Sequence, residues 1–188
     1  CVKFHKLITN FFALGAIAIA MGLALSATAE VPLKVAVLDL KAIRTNSLAI
    51  KDIRAQIEKY RQGFQADIKK EEDALRIANQ ELAKKRTLLG PEAFANERRL
   101  FEQKVVGVQK LVSQRKIDLD RALTQAMLVV EKKMNVIMEK VATKRGARLV
   151  LRRQNTILAD RSMDMTKEVL KRLNAELKTV SVGKPGSN

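Results

Sequence analysis

The groups in this chain that could do acid–base chemistry are carboxylates, and their spacing disperses them. Glu71-Glu72 and the pair Asp118 and Asp120 are close in sequence. Side chains one or two positions apart diverge on a helix, so neither pair makes a general acid–base site. The single histidine, His5, and the single cysteine, Cys1, both precede a long apolar run. Beyond them no imidazole or thiol remains for a nucleophile, a general base or a soft metal. No G-x-x-x-x-G-K-[ST] phosphate loop is present either. The sequence therefore reads as a non-enzyme, without cofactor or metal. What remains is charge and soft apolar surface. Lys84-Lys85-Arg86 and Arg98-Arg99 flank a turn and could hold anionic lipid or lipopolysaccharide headgroups; alternatively they are a solvated helix end. Met127, Met134 and Met138 offer adaptable thioethers to an irregular partner. The alternative is that Met134 fills a packing seam and the other two lie beside the body.

The elements that must position these residues begin after a leader. Lys3 and Lys6 precede an unbroken run of apolar residues or glycine from Phe11 to Leu25, and Ala27-Thr28-Ala29 offers a cleavage site. The expectation is a signal peptide at 1–29, export, and a mature chain from Glu30; the alternative is an uncleaved anchor. Cys1 precedes the apolar run, which is not the place of a lipoprotein cysteine. Without Lys3 and Lys6 there are 34 basic residues against 20 acidic, a net charge of +14. That balance favours acidic polypeptides, anionic surfaces or nucleic acid, and export argues against nucleic acid. The mature part lacks cysteine, so no disulfide staples it.

Lys34-Val35-Ala36-Val37-Leu38-Asp39-Leu40 reads as a strand buried on both faces. Helix formers then dominate. Ile50, Ile53, Ile57, Tyr60 and Phe64 follow the three-four spacing of a coiled-coil seam, which steps to Ile68 and resumes at Leu75, Ala78, Leu82 and Leu89. Gly63, within that step, is either a flex point or an ordinary exposed helix glycine. Leu89-Gly90-Pro91-Glu92 is a turn. A second seam follows at Phe94, Phe101, Val105, Val108, Val112, Leu119, Leu123, Ala126, Val130, Met134, Ile137 and Val141. Two seams joined by one tight turn predict an antiparallel hairpin over 49–145. Gly146 ends it. Ala147 to Arg152 and Thr156 to Ala159 are expected strands. An amphipathic helix with Val169, Leu170, Leu173 and Leu177 follows, capped by Asp164 or Thr166. Residues 182–188 are expected to be a disordered tail.

The fold class is thus α+β, with the long helical hairpin inserted between the first and second strands of a small β-rich body, 30–48 and 146–181. Such a body is small for an independent core. Several chains are therefore expected to share one core built from Val35, Val37, Leu149, Leu151 and Ile157.

The pattern resembles the Skp, or OmpH-like, family. The resemblance rests on the leader, the Lys34–Asp39 strand, the hairpin, and a closing unit of Gly146-Ala147-Arg148-Leu149-Val150-Leu151, Thr156-Ile157-Leu158-Ala159-Asp160 and Asp164 to Asn174. Leu151-Arg152-Arg153-Gln154-Asn155 is more basic than that family pattern. The resemblance implies a homotrimer with three hairpins hanging like tentacles around a cavity. It further implies a periplasmic, ATP-independent holdase chaperone for unfolded outer-membrane β-barrel proteins. The rival reading is an envelope protein that binds lipopolysaccharide or anionic phospholipid.

Overall fold

The computed structural model describes residues 33–186; the expected leader at 1–29 lies outside them. The elements run in order as strand β1 (Val35–Leu38), short helix α1 (Leu40–Asn46), long helix α2 (Leu48–Lys85), longer helix α3 (Pro91–Lys144), strand β2 (Leu149–Arg152) and closing helix α4 (Thr166–Glu176). Single 3-10 turns stand at Arg153–Asn155 and Arg161–Met163. The described part is mostly helical, and none of its helices is long and apolar enough to cross a membrane.

β1 and β2 pair in parallel, from Val35 opposite Leu149 to Leu38 opposite Arg152. A parallel pair needs a crossover connection, and here the hairpin is that crossover. β1 is the inner strand. On its far side Val37 bridges Asp164, and the Met165 N–H donates to the Val37 carbonyl at 3.0 Å. Cover on both sides accounts for its continuous apolar run. It is shorter than the sequence suggests because Asp39 turns the chain: its carboxylate accepts from the Ala42 N–H at 2.9 Å and caps α1.

The expected strand at 156–159 does not form. A 3-10 turn and a hydrogen bond from the Thr156 hydroxyl to the Arg152 carbonyl divert the chain, and Asp164–Met165 takes the place beside β1. Ile157 and Leu158 are left uncovered. Among the described residues there is no further sheet face for them.

At ~1.5 Å per residue, the 38 residues of α2 span about 57 Å and the 54 of α3 about 81 Å. The excess length of α3 runs beside the body, where Lys133 and Arg145 pair with Glu176 and Glu168 of α4. Pro91 opens α3. Gly146 ends it with φ +69, while its N–H donates to the Thr143 carbonyl and that of Ala147 to the Ala142 carbonyl. This pair of bonds is the Schellman closure that a glycine permits. Asp164 Oδ1 accepts from the Thr166 N–H at 2.8 Å at the start of α4.

One continuous core joins the body to the base of the hairpin. It includes Ile43, Ile53 and Ile57 facing Val130, Ile137 and Val141, with Met165, Val169 and Leu173 behind. Higher up, Tyr60, Phe64, Ile68, Leu75, Ala78 and Leu82 are only half-buried, as a two-layer arm requires.

The chain beyond α4 departs from the expected disordered tail. It runs back along the base of α2, with Val180 at 7% and Val182 at 4% exposure, and then lies beside Asp118 and Ala122 of α3, where Pro185 is buried. Two small apolar side chains at alternate positions find the open side of the core, a contact no local pattern announces.

Candidate functional site

The hairpin keeps a second periodicity besides its seam. On α3, Val108, Leu119, Val130 and Val141 turn inward at eleven-residue intervals, as do Ala126 and Ile137. Eleven residues are three helical turns to within about 20°. Such a repeat keeps a seam in place without the left-handed supercoil of a seven-residue one. The seam consequently passes through Leu111, and Val112, expected there, is exposed. An open groove of about 500 Å³ between Leu75, Ala78, Gly107, Val108 and Leu111 marks that step.

The same interval organises the outside of α3. Val106, Ile117 and Leu128 are exposed and fall on one line, about 16.5 Å apart. Each is followed four residues later by an exposed cation: Lys110, Arg121 and Lys132. Residues at i and i+4 are surface neighbours, so α3 carries three equivalent couples of one apolar and one basic side chain. Leu100, Val129 and Val136 add exposed apolar surface elsewhere on the helix. The eleven-residue spacing was the signal that could have found these residues in the sequence.

The sequence-expected sites lie as follows. Met127, Met134 and Met138 are half-buried and pack on the hydrophobic core, so they serve α3 from its inner side. At the arm tip Lys84 pairs with Glu81 at 2.8 Å, Lys85 bridges to Glu97 at 2.8 Å, Arg98 pairs with Glu102 at 3.1 Å, and Arg99 donates to Asn96 at 3.1 Å. The hydrogen bond and charge of Lys84 hold the Glu81 carboxyl below its ordinary range. Between positions 81 and 102 five basic residues, Arg86 included, meet four acidic ones, so the tip is nearly neutral. The positive excess lies instead at 103–145, ten basic against four acidic, and at 146–188, nine against four.

Of the residues expected in a shared core, Val37 is 1% exposed and is used within its own chain. Val35 is half-buried. Leu149 at 42% and Leu151 at 39% stand open on β2, with Ile157 and Leu158 bare beside them. A two-stranded sheet is marginal by itself, and this one presents an uncovered apolar edge. Among the described residues no group of three metal-ligating side chains converges.

Comparison with known proteins places these features in context. The OmpH family, described as outer membrane protein (OmpH-like), matches residues 34–173. Among solved structures, a chain from Caulobacter crescentus CB15 described as an outer membrane chaperone (OmpH-like) superposes with a TM-score of 0.75. The two are 21% identical, over 84% of this chain and 93% of that one. At that identity the likeness concerns the fold. No curated protein matches the chain.

Proposed function

Because the chain belongs to the OmpH-like outer membrane protein family, we propose that it is an ATP-independent holdase chaperone, exported to the periplasm, that keeps unfolded outer-membrane β-barrel proteins from aggregating. The observation that carries this reading is the repeated couple of exposed apolar and basic side chains along α3, Val106 with Lys110, Ile117 with Arg121 and Leu128 with Lys132.

An unfolded barrel protein presents alternating apolar side chains and unpaired strand edges. A holder without an energy source must grip it weakly at many points. The couples supply such points: each gives a small apolar contact, and the neighbouring cation adds attraction to an acidic client that raises the capture rate and fades with salt. The open edge at Leu149, Leu151, Ile157 and Leu158 supports assembly of the body, taken here as a homotrimer. Three arms then surround a cavity, and avidity converts weak contacts into useful retention. Met127, Met134 and Met138 would act from the inner side of α3, by repacking as the arms flex. The apolar leader at 1–29 supports export.

The lipid reading draws on Lys84, Lys85, Arg86, Arg98 and Arg99. Their four acidic neighbours leave the tip little attraction for lipopolysaccharide or anionic phospholipid, so the client reading is preferred. The test is dilution of a urea-denatured porin into buffer. The chain should suppress its aggregation at about one trimer per client, and light scattering should give three chains per particle. Unchanged porin aggregation alongside co-sedimentation with anionic vesicles would decide for the lipid reading.

A further inference from the structure

The segment after α4 is held in an unusual way. Val180 and Val182 have all four of their backbone groups bonded by side chains of one helix. The Val180 N–H donates to Asp52 Oδ2 at 3.3 Å, and its carbonyl accepts from Gln56 Nε2 at 2.9 Å. The Val182 N–H donates to Gln56 Oε1 at 3.0 Å, and its carbonyl accepts from the Tyr60 hydroxyl at 3.5 Å. Gln56 also donates to Asp52 at 2.8 Å, which fixes the direction of its amide. Both valine side chains are buried and Ser181 between them is exposed.

This is the bonding of a strand edge, supplied by a helix. In an extended chain the N–H and C=O of alternate residues point the same way. Two extended residues advance about 6.6 Å, and four helical residues about 6 Å. Asp52, Gln56 and Tyr60, spaced by four, therefore meet the polar groups of residues spaced by two. The amide of Gln56 stands in for a peptide group of a neighbouring strand. Recognition runs through the main chain and asks of the sequence only small apolar residues at alternate positions. Beside Gln56 and Tyr60 the same helix leaves an open depression of about 410 Å³, lined by Gln56, Lys59, Tyr60, Gly63, Phe64 and Asp67. A Cβ at Gly63 would meet nothing within 4 Å.

We infer that the Asp52–Gln56–Tyr60 face is a receptor for extended polypeptide with alternating apolar residues, and that the chain's own Val180-Ser181-Val182 occupies it in place of a client strand. The inference rests on the holdase reading, since barrel precursors supply segments of that pattern. The tail then acts as a tethered competitor, which lowers the apparent affinity for a client by the fraction of time it is seated.

The experiment uses a fluorescent decapeptide of valine alternating with threonine and lysine, read by anisotropy. A chain ending at Lys178 should bind it about tenfold or more tighter than the full chain. In that shortened chain Gln56→Leu should abolish the gain. A peptide carrying N-methylvaline, which lacks the donated N–H groups, should bind no better to the shortened chain than to the full one. A free peptide of residues 178–188 should compete. If circular dichroism shows the shortened chain unfolded, the full chain with Val180→Gly and Val182→Gly takes its place with the same expectations. Equal affinity of full and unseated chains, or indifference to N-methylation, overturns the inference. Porin aggregation run in parallel separates the two ideas: protection without peptide preference removes this receptor and leaves the chaperone reading standing.

Discussion

The backbone N–H of Asp39 donates to the Thr166 hydroxyl at 2.8 Å, joining positions 127 residues apart. Asp39 ends β1 and caps α1, and Thr166 opens α4. With the Met165–Val37 bond it fastens the start of the body to the opening of α4, with the whole arm looped out between them. Thr166 is buried, so the bond has little competition from water.

Replacing Thr166 by Val keeps the shape and removes the acceptor. The orphaned Asp39 N–H should cost about 1–3 kcal/mol of stability, seen as a lower urea midpoint with an unchanged slope. Thr166→Ser should recover most of the loss. An unaltered midpoint for the valine variant would show that this junction does not close the body.

Stability should fall in acid through Glu168. It accepts hydrogen bonds from Arg145 at 3.1 Å and from Arg172 at 2.9 Å, and the Arg145 bond outweighs desolvation in holding its carboxyl below the ordinary glutamate range. A lowered folded-state pKa means stability present above the unfolded value and lost as pH falls through the folded one. Glu168→Gln should therefore flatten the acid limb of the thermal midpoint. A limb identical to that of the parent chain would count against this pair.

Two glycines should respond in opposite senses to alanine. Gly146 sits at φ +69, so Gly146→Ala should destabilise by about 1–2 kcal/mol. Gly63 is helical with open space around it, and Gly63→Ala should stabilise by up to about 1 kcal/mol. Denaturant titration reads both.

The apolar row on α3 is separable from folding. Val106→Ser, Ile117→Ser and Leu128→Ser together should leave the thermal midpoint within a few degrees, since all three are exposed. Protection of a denatured porin should weaken several-fold. Charge reversal at Lys110, Arg121 and Lys132 should slow capture and weaken its salt dependence.

Leu149→Asp places a charge on the open edge of β2. We expect light scattering to report single chains in place of trimers, and the thermal midpoint of the parent to rise with protein concentration. A trimer of normal mass from this variant would move the interface elsewhere.

Much of this architecture is written in local order. The apolar periods of α2 and α3, the Gly90-Pro91 turn and the Gly146 stop are properties of neighbouring residues, so spacing alone reveals the hairpin and the strand that precedes it. The non-local choices are not visible in that way. Thr156-Ile157-Leu158-Ala159 has the composition of a strand, but Asp164–Met165 holds the place beside β1. Val112 fits a seven-residue count, and the packed helices follow eleven. The five cations of the tip look strongly basic until their four acidic neighbours are counted with them. Val180 and Val182 sit in a polar, glycine-containing tail, and only the open flank of α2 turns them into core. Periodicity needs one helix to be read. Pairing, register and burial depend on which surfaces a distant part of the chain leaves free.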